Sequence, residues 1–209
     1  MGNSLWGETL DGDPWCPMTQ PSLRASPEEQ ATCFFFQNYV LQQDAFSRGS
    51  FQYLSDIYES EEIGSALADS VASLGLVGLG HLWGASNVLA NATAKYNSAL
   101  KTISMQLRTI ERAKSDQTII AIMLLGLYEV YFPTRDSCFN FLTLRQTNTC
   151  NSKHSMETWT RHITGASALL QLRGKEQLRT PVGYHLFIHL RTQVVSTKAY
   201  MNTSHFNQS

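Results

Sequence analysis

Ile119-Ile-Ala-Ile-Met-Leu-Leu-Gly-Leu-Tyr-Glu-Val-Tyr-Phe132 carries a single charge, Glu129, in fourteen residues. The run is too long for an ordinary buried strand and does not alternate, so it predicts a helix that is apolar on every side, the central helix of a helical assembly. It is too short to cross a bilayer. Ser115 or Asp116 stands where an N-cap belongs. Glu129 is expected at the edge of the core.

The flanking sequence has the same period. Upstream, Val88, Ala92, Tyr96, Ala99, Ile103 and Leu107 form one stripe of an amphipathic helix, with Lys95, Lys101 and Arg108 off it. Before that, Leu67, Val71, Leu74, Gly78 and Leu82 recur at three or four residues over about 64–82. Gly75, Gly78 and Gly80 are poor helix formers, so their presence there implies a close neighbour. Ser26-Pro27-Glu28-Glu29 reads as a capping box with proline at the first helical position, opening a helix that carries Phe34, Phe35, Phe36, Tyr39 and Val40 towards Phe46 and stops at Arg48-Gly49. Downstream, Met156, Trp159, Ile163, Ala166 and Leu170 form the stripe of a helix starting near Ser155, with Gly174 placed as its terminating glycine. Thr180-Pro181 begins a further helix with Leu186, Phe187, Leu190 and Val194 inward. No useful length alternates with period two. The expected class is all-α: about six antiparallel packed helices, in a bundle or solenoid-like array.

The chain has 209 residues, 43% hydrophobic, 11% aromatic and 16% charged, with a formal net charge of −1. That is enough apolar material for one core and excludes wholesale disorder, a coiled coil and a general polyanion binder. The charge is divided unevenly. Residues 1–69 hold eleven acids against Arg24 and Arg48, and residues 70–209 hold fourteen bases against six acids. The bases are scattered over several helices, so the expectation is mutual neutralisation of two packed halves rather than a basic binding stripe. No stretch reaches eighteen consecutive apolar residues, and the first residues have neither a basic nor an apolar signal region. Without a secretory route, Cys16, Cys33, Cys138 and Cys150 are expected as free thiols, and the Asn91, Asn202 and Asn207 glycosylation triplets as chance.

No motif predicts chemistry. Gly75-Leu-Val-Gly78-Leu-Gly80 reverses the dinucleotide fingerprint and follows no strand, so helix packing accounts for it better than phosphate binding. His185 and His189, four apart on one helical face, lack the glutamate that a metalloprotease places after its first histidine and have no third ligand nearby. His162 is a lone helical histidine, and Gly165-Ala-Ser167 lacks the closing glycine of a nucleophile elbow, since Leu169 stands there. No residue is assigned a catalytic, cofactor-binding or metal-ligating role. Leu5, Trp6, Leu10 and Trp15 interleaved with Glu8, Asp11 and Asp13 read first as a plain N-terminal tail, with a short activation segment as the alternative.

Several blocks, in order over about residues 30–195, resemble the fungal-specific transcription factor domain, the helical regulatory region of zinc binuclear-cluster regulators. They are Cys33-Phe-Phe-Phe-Gln-Asn-Tyr-Val40, Gly49-Ser-Phe-Gln-Tyr-Leu54 with Tyr58, the stretch from Leu67 to Leu79, Tyr96-Asn-Ser-Ala-Leu100, Leu124-Leu-Gly-Leu-Tyr-Glu129, and Trp159 to Gly174, followed by Gln177 to Thr180 and Leu186-Phe187. The His162–Gly174 block is the most diagnostic. The resemblance implies a non-catalytic nuclear regulator of RNA polymerase II transcription. Its expected partners are a second copy or intact zinc-cluster regulators, together with a small-molecule effector, and no membrane. The zinc cluster needs six cysteines beginning CxxC, which this chain lacks, so no direct nucleic-acid binding is expected of it. The alternatives are a metabolite-sensing helical domain and a non-functional truncated copy.

The implied organisation is a disordered segment over 1–26, a helical regulatory domain over 27–200 and a disordered tail over 201–209. An irregular insertion at 131–154, read as a retained intron or a lineage insertion, interrupts the domain. The family domain usually continues with further helices, so this one is expected to be incomplete at its C-terminus and to leave the apolar face of its last helix partly uncovered.

Overall fold

The computed structural model describes residues 25–40, 51–60, 62–131 and 153–206. All the regular structure among them is helical, with no strand. The eight α-helices are α1 (Pro27–Phe35), α2 (Tyr53–Ser60), α3 (Ser65–Trp83), α4 (Ser86–Gln106), α5 (Ile110–Ala113), α6 (Asp116–Tyr131), α7 (Lys153–Arg173) and α8 (Pro181–Phe206). A π turn, Phe36–Val40, continues α1, and a 3₁₀ turn, Gly174–Arg179, joins α7 to α8.

The all-α class is therefore as expected, and the helix count is corrected upward from six. The two additions are the shortest helices, α2 and α5, whose lengths of eight and four residues give little room for a repeating period. The first helix is described only as far as Val40, and the reading that it reaches Phe46 lies outside the described residues. So do the segment 1–24, nearly all of the 131–154 insertion, the last three residues, and Cys16, Cys138 and Cys150. Cys33 is a free, exposed thiol. At the other end, the α8 backbone continues helically to Phe206, past the boundary placed at residue 200.

Local start signals act as their chemistry requires. Ser26 Oγ accepts from the Glu29 amide at 3.1 Å while the Ser26 amide donates to Glu29 Oε2 at 2.7 Å, completing the capping box. Ser115 Oγ accepts from the Thr118 amide at 3.1 Å at the start of α6. Gly174 ends α7 with φ +70°, a conformation that side chains with a Cβ rarely adopt.

α3 and α6 are the two helices buried almost all round. Leu67, Leu74, Ile119, Ile120, Met123 and Leu124 are wholly out of solvent, each contributing about 1.5–3 kcal/mol by burial. α3 is also long and apolar enough to cross a membrane, with a mean hydropathy of 1.2, yet 72% of that window is buried among the other helices, the setting of a core helix. α4 runs antiparallel to both: Asp69 of α3 meets Lys95 and Ser98, Gly80 faces Leu89, Tyr128 of α6 meets Thr93, and Thr118 meets Gln106. α7 runs antiparallel to α6, with Gly126 against Trp159 and Asp116 paired with Arg173. α1 departs from the antiparallel expectation. Ala31 lies on Gly75 and Phe34 on Gly78, so it runs parallel to α3.

The glycines of α3 act as spacers. A Cβ on Gly75 would lie 1.9 Å from the Ala31 carbonyl oxygen, and one on Gly78 would lie 2.3 Å from the Phe34 ring. The Gly75–Gly80 motif is thus inside a helix and works in packing, as its sequence order suggested. Among the described residues, Lys95 of the basic part answers the charge asymmetry where it approaches Asp69 Oδ1 at 3.2 Å and Glu28 Oε1 at 3.9 Å.

Candidate functional site

Among the described residues, two polar clusters that include histidines lie where the helices pack. The first joins α4, α6 and α7. Glu129 stands near the C-terminal end of the apolar α6 helix, where the core meets solvent, and its side chain is 25% exposed, at the core edge as expected. Its Oε1 accepts a hydrogen bond from the Tyr96 hydroxyl and lies 3.2 Å from His162 Nε2. Tyr96 stacks on Tyr128, ring centroids 4.2 Å apart, and Tyr128 Oη donates to Thr93 Oγ1 at 3.2 Å. Burial, reinforced by the hydrogen bond to Glu129 and its negative charge, pushes the Tyr96 hydroxyl pKa up. Tyr96 therefore stays a neutral donor at neutral pH.

His162 thus has a partner that sequence reasoning does not supply. Glu129 and His162 are thirty-three residues apart, and the available signal is that each is a polar residue on an otherwise apolar or small-residue face. Gly126 allows the approach: a Cβ there would come within 2.9 Å of both His162 Cβ and the Trp159 ring. Farther along the same seam, Arg173 donates to Asp116 and to the Lys114 carbonyl, locking the end of α7 to the start of α6.

Beside the Glu129–His162 pair a groove of about 420 Å³ opens between α4, α6 and α7, within the size range of small-molecule sites. Ile103, Ile122, Leu125 and Leu169 give it an apolar lining, with Arg161 and His162 at the polar side. Gly165 sits on its wall, and a Cβ there would meet nothing within 4 Å. Among the described residues the Arg161 side chain has no ion-pair or hydrogen-bond partner.

The second polar cluster ties α2 to α8. Tyr53 Oη lies 2.9 Å from His189 Nδ1, and Gln193 Nε2 lies 3.3 Å from His189 Nε2. Phe51 meets the imidazole edge-on at 4.7 Å. Burial lowers the His189 pKa to about 4 and raises that of the Tyr53 hydroxyl, so a neutral histidine faces a neutral phenol. His185 does not share this environment. It is exposed and lies edge-on to Tyr184 at 5.8 Å. The two histidines stand one turn apart on the same side of α8, about 40° round its axis from each other, but only His189 is buried. Among the described residues no group of three or more His, Cys, Asp or Glu is arranged to hold a metal ion.

No family model matches this sequence, no curated protein matches it, and no solved structure matches it.

Proposed function

We propose that this chain is the non-catalytic regulatory domain of a fungal zinc-cluster-type transcription factor. In this reading it acts in the nucleus on RNA polymerase II transcription and works by pairing with a second copy or with intact regulators. The observation that carries the reading is that the most diagnostic of the family-like sequence blocks lies against another of them. Leu124–Glu129 on α6 meets the Trp159–Gly174 block on α7 through Gly126, Trp159 and the Glu129–His162 pair. A resemblance born of generic apolar helices gives no reason for its polar members to be partners. The finer architecture in this reading is an antiparallel helical array with α1 laid parallel across it.

The test fuses the chain to a heterologous DNA-binding module upstream of a reporter and, separately, uses it to capture intact zinc-cluster regulators. Altered reporter output together with direct capture of such a regulator supports the reading. An inert fusion that captures none refutes it.

A second reading, a helical domain that senses a metabolite, is favoured by the groove between α4, α6 and α7. A thermal-shift screen tests it, and the absence of stabilisation by any small molecule counts against it.

A further inference from the structure

We propose that the groove between α4, α6 and α7 binds an amphipathic monocarboxylate, a molecule with an extended apolar body and one anionic end. The inference rests on the metabolite-binding reading and adds the ligand's chemistry.

Three residues of α7 set the ligand's orientation. Arg161, Gly165 and Leu169 all line the groove and follow one another at four-residue spacing, which keeps them on one side of the helix. The row spans roughly 12 Å along the axis, eight residues at about 1.5 Å each. It begins with a cation, passes over a position with no side chain and ends on a leucine. The facing walls are Ile103 of α4 and Ile122 and Leu125 of α6. Two further lining residues, Leu100 and Leu107, remain 37% and 46% exposed, so apolar surface is left facing water around the groove. An apolar body lying over Gly165 covers it.

The sign of the polar end follows from the charges nearby. Glu129 is the adjacent anion, and its charge is already engaged by the Tyr96 hydroxyl and by His162. Arg161 is exposed at the rim and forms no ion pair among the described residues, not even with Glu157 one turn before it on α7, so its guanidinium is left open to a ligand. A carboxylate presents two oxygens that match the guanidinium fork. A cationic end meets Arg161 as a like charge, and a neutral hydroxyl gains much less from it.

The experiment is isothermal titration calorimetry on the full chain with decanoate, decan-1-ol and decyltrimethylammonium, each below its micelle concentration, repeated on Arg161→Gln and Gly165→Leu. Decanoate is expected to bind at one per chain and the cation not to bind. Arg161→Gln should weaken decanoate about tenfold or more, the scale of a charge-assisted hydrogen bond. A Cβ at Gly165 meets nothing within 4 Å, so Gly165→Leu should send its side chain into the groove and abolish binding while the helical circular dichroism and melting temperature are kept or raised.

If the alcohol or the cation binds as well as the acid, the carboxylate inference falls and the metabolite reading stands. If none of the three binds, this inference is overturned, and the broader thermal-shift screen decides the metabolite reading separately. Undiminished decanoate binding by Gly165→Leu overturns the location. A dimer in analytical ultracentrifugation that this variant dissociates assigns the groove to a second copy and likewise overturns the proposal.

Discussion

Replacing Gly75 with alanine tests whether the approach of α1 to α3 is a backbone contact. The new methyl carbon would lie 1.9 Å from the Ala31 carbonyl oxygen, 2.5 Å from its carbonyl carbon and 2.9 Å from its Cα. All three are main-chain atoms, so no rotamer change relieves the overlap. Restoring an ordinary C···O contact of about 3.3 Å moves α1 outward by roughly 1.4 Å. That movement loosens Ala31 and Phe35, both wholly buried, and lifts Phe34 from Gly78. Overpacking costs about 1–3 kcal/mol and loss of a buried phenylalanine about 3–5 kcal/mol. The better helix propensity of alanine returns about 1 kcal/mol. The expected net loss is about 2–4 kcal/mol, measured by urea unfolding followed at 222 nm.

Gly165→Ala is the internal control. It makes the same chemical change within a helix, in open space, and should stabilise by about 0.5–1 kcal/mol. If Gly75→Ala is as stable as the parent, or if the two variants lose the same amount, the close-approach argument is wrong.

Three further expectations concern polar contacts. His189 is held neutral by burial, with its pKa lowered to about 4 from an unfolded value near 6.5. Its contribution is therefore complete above about pH 6.5 and is lost as pH falls towards 4, by about 3 kcal/mol in all. Stability measured across that window should fall less steeply in His189→Gln than in the parent, and equal slopes contradict the assignment. Arg173→Ala leaves Asp116 and the Lys114 carbonyl without their donor and should cost about 1–3 kcal/mol in denaturant titration, whereas an unchanged midpoint shows that the contact contributes nothing. Ser26→Ala removes the acceptor for the Glu29 amide and should cost about 1 kcal/mol, with faster hydrogen exchange confined to the first turn of α1 if the cap acts locally.

The legible parts of the fold are those in which neighbouring residues encode the structure. The Ser26–Glu29 box, the all-round apolar α6, the stripe of α7, that of α4 as far as Ile103 and the glycine at 174 are local signals that lie where their local chemistry puts them, whereas Leu107, the last of the α4 stripe, falls past the helix end and is 46% exposed. α2 escapes a reading of periods, although Phe51, Tyr53, Leu54 and Ile57 are all buried, because eight residues give too few turns to establish one. The parallel course of α1 is beyond the sequence for another reason. The glycines report that a helix comes close, and their spacing carries no information about its direction. The site is legible only as single residues. His162 stands out as a lone helical histidine and Glu129 as a charge at the core edge, but their pairing depends on α6 and α7 lying side by side. The groove depends on three helices at once, and Arg161 draws no notice in the sequence because an arginine on a helix surface is ordinary until its surroundings are known.

The contact between Tyr53 and His189 joins residues 136 positions apart, and α8 is the helix against which α2 chiefly packs. During synthesis α2 emerges well before its principal support, which follows 136 residues later. Helices α3 to α7 can assemble with their sequence neighbours while the chain is still growing, but the side of α2 that packs on α8 waits in solvent until that helix leaves the ribosome. The delay is fixed by the order of translation, not by the strength of any bond, and for its duration Leu54 and Ile57 are offered to whatever chaperone or neighbouring nascent chain is at hand.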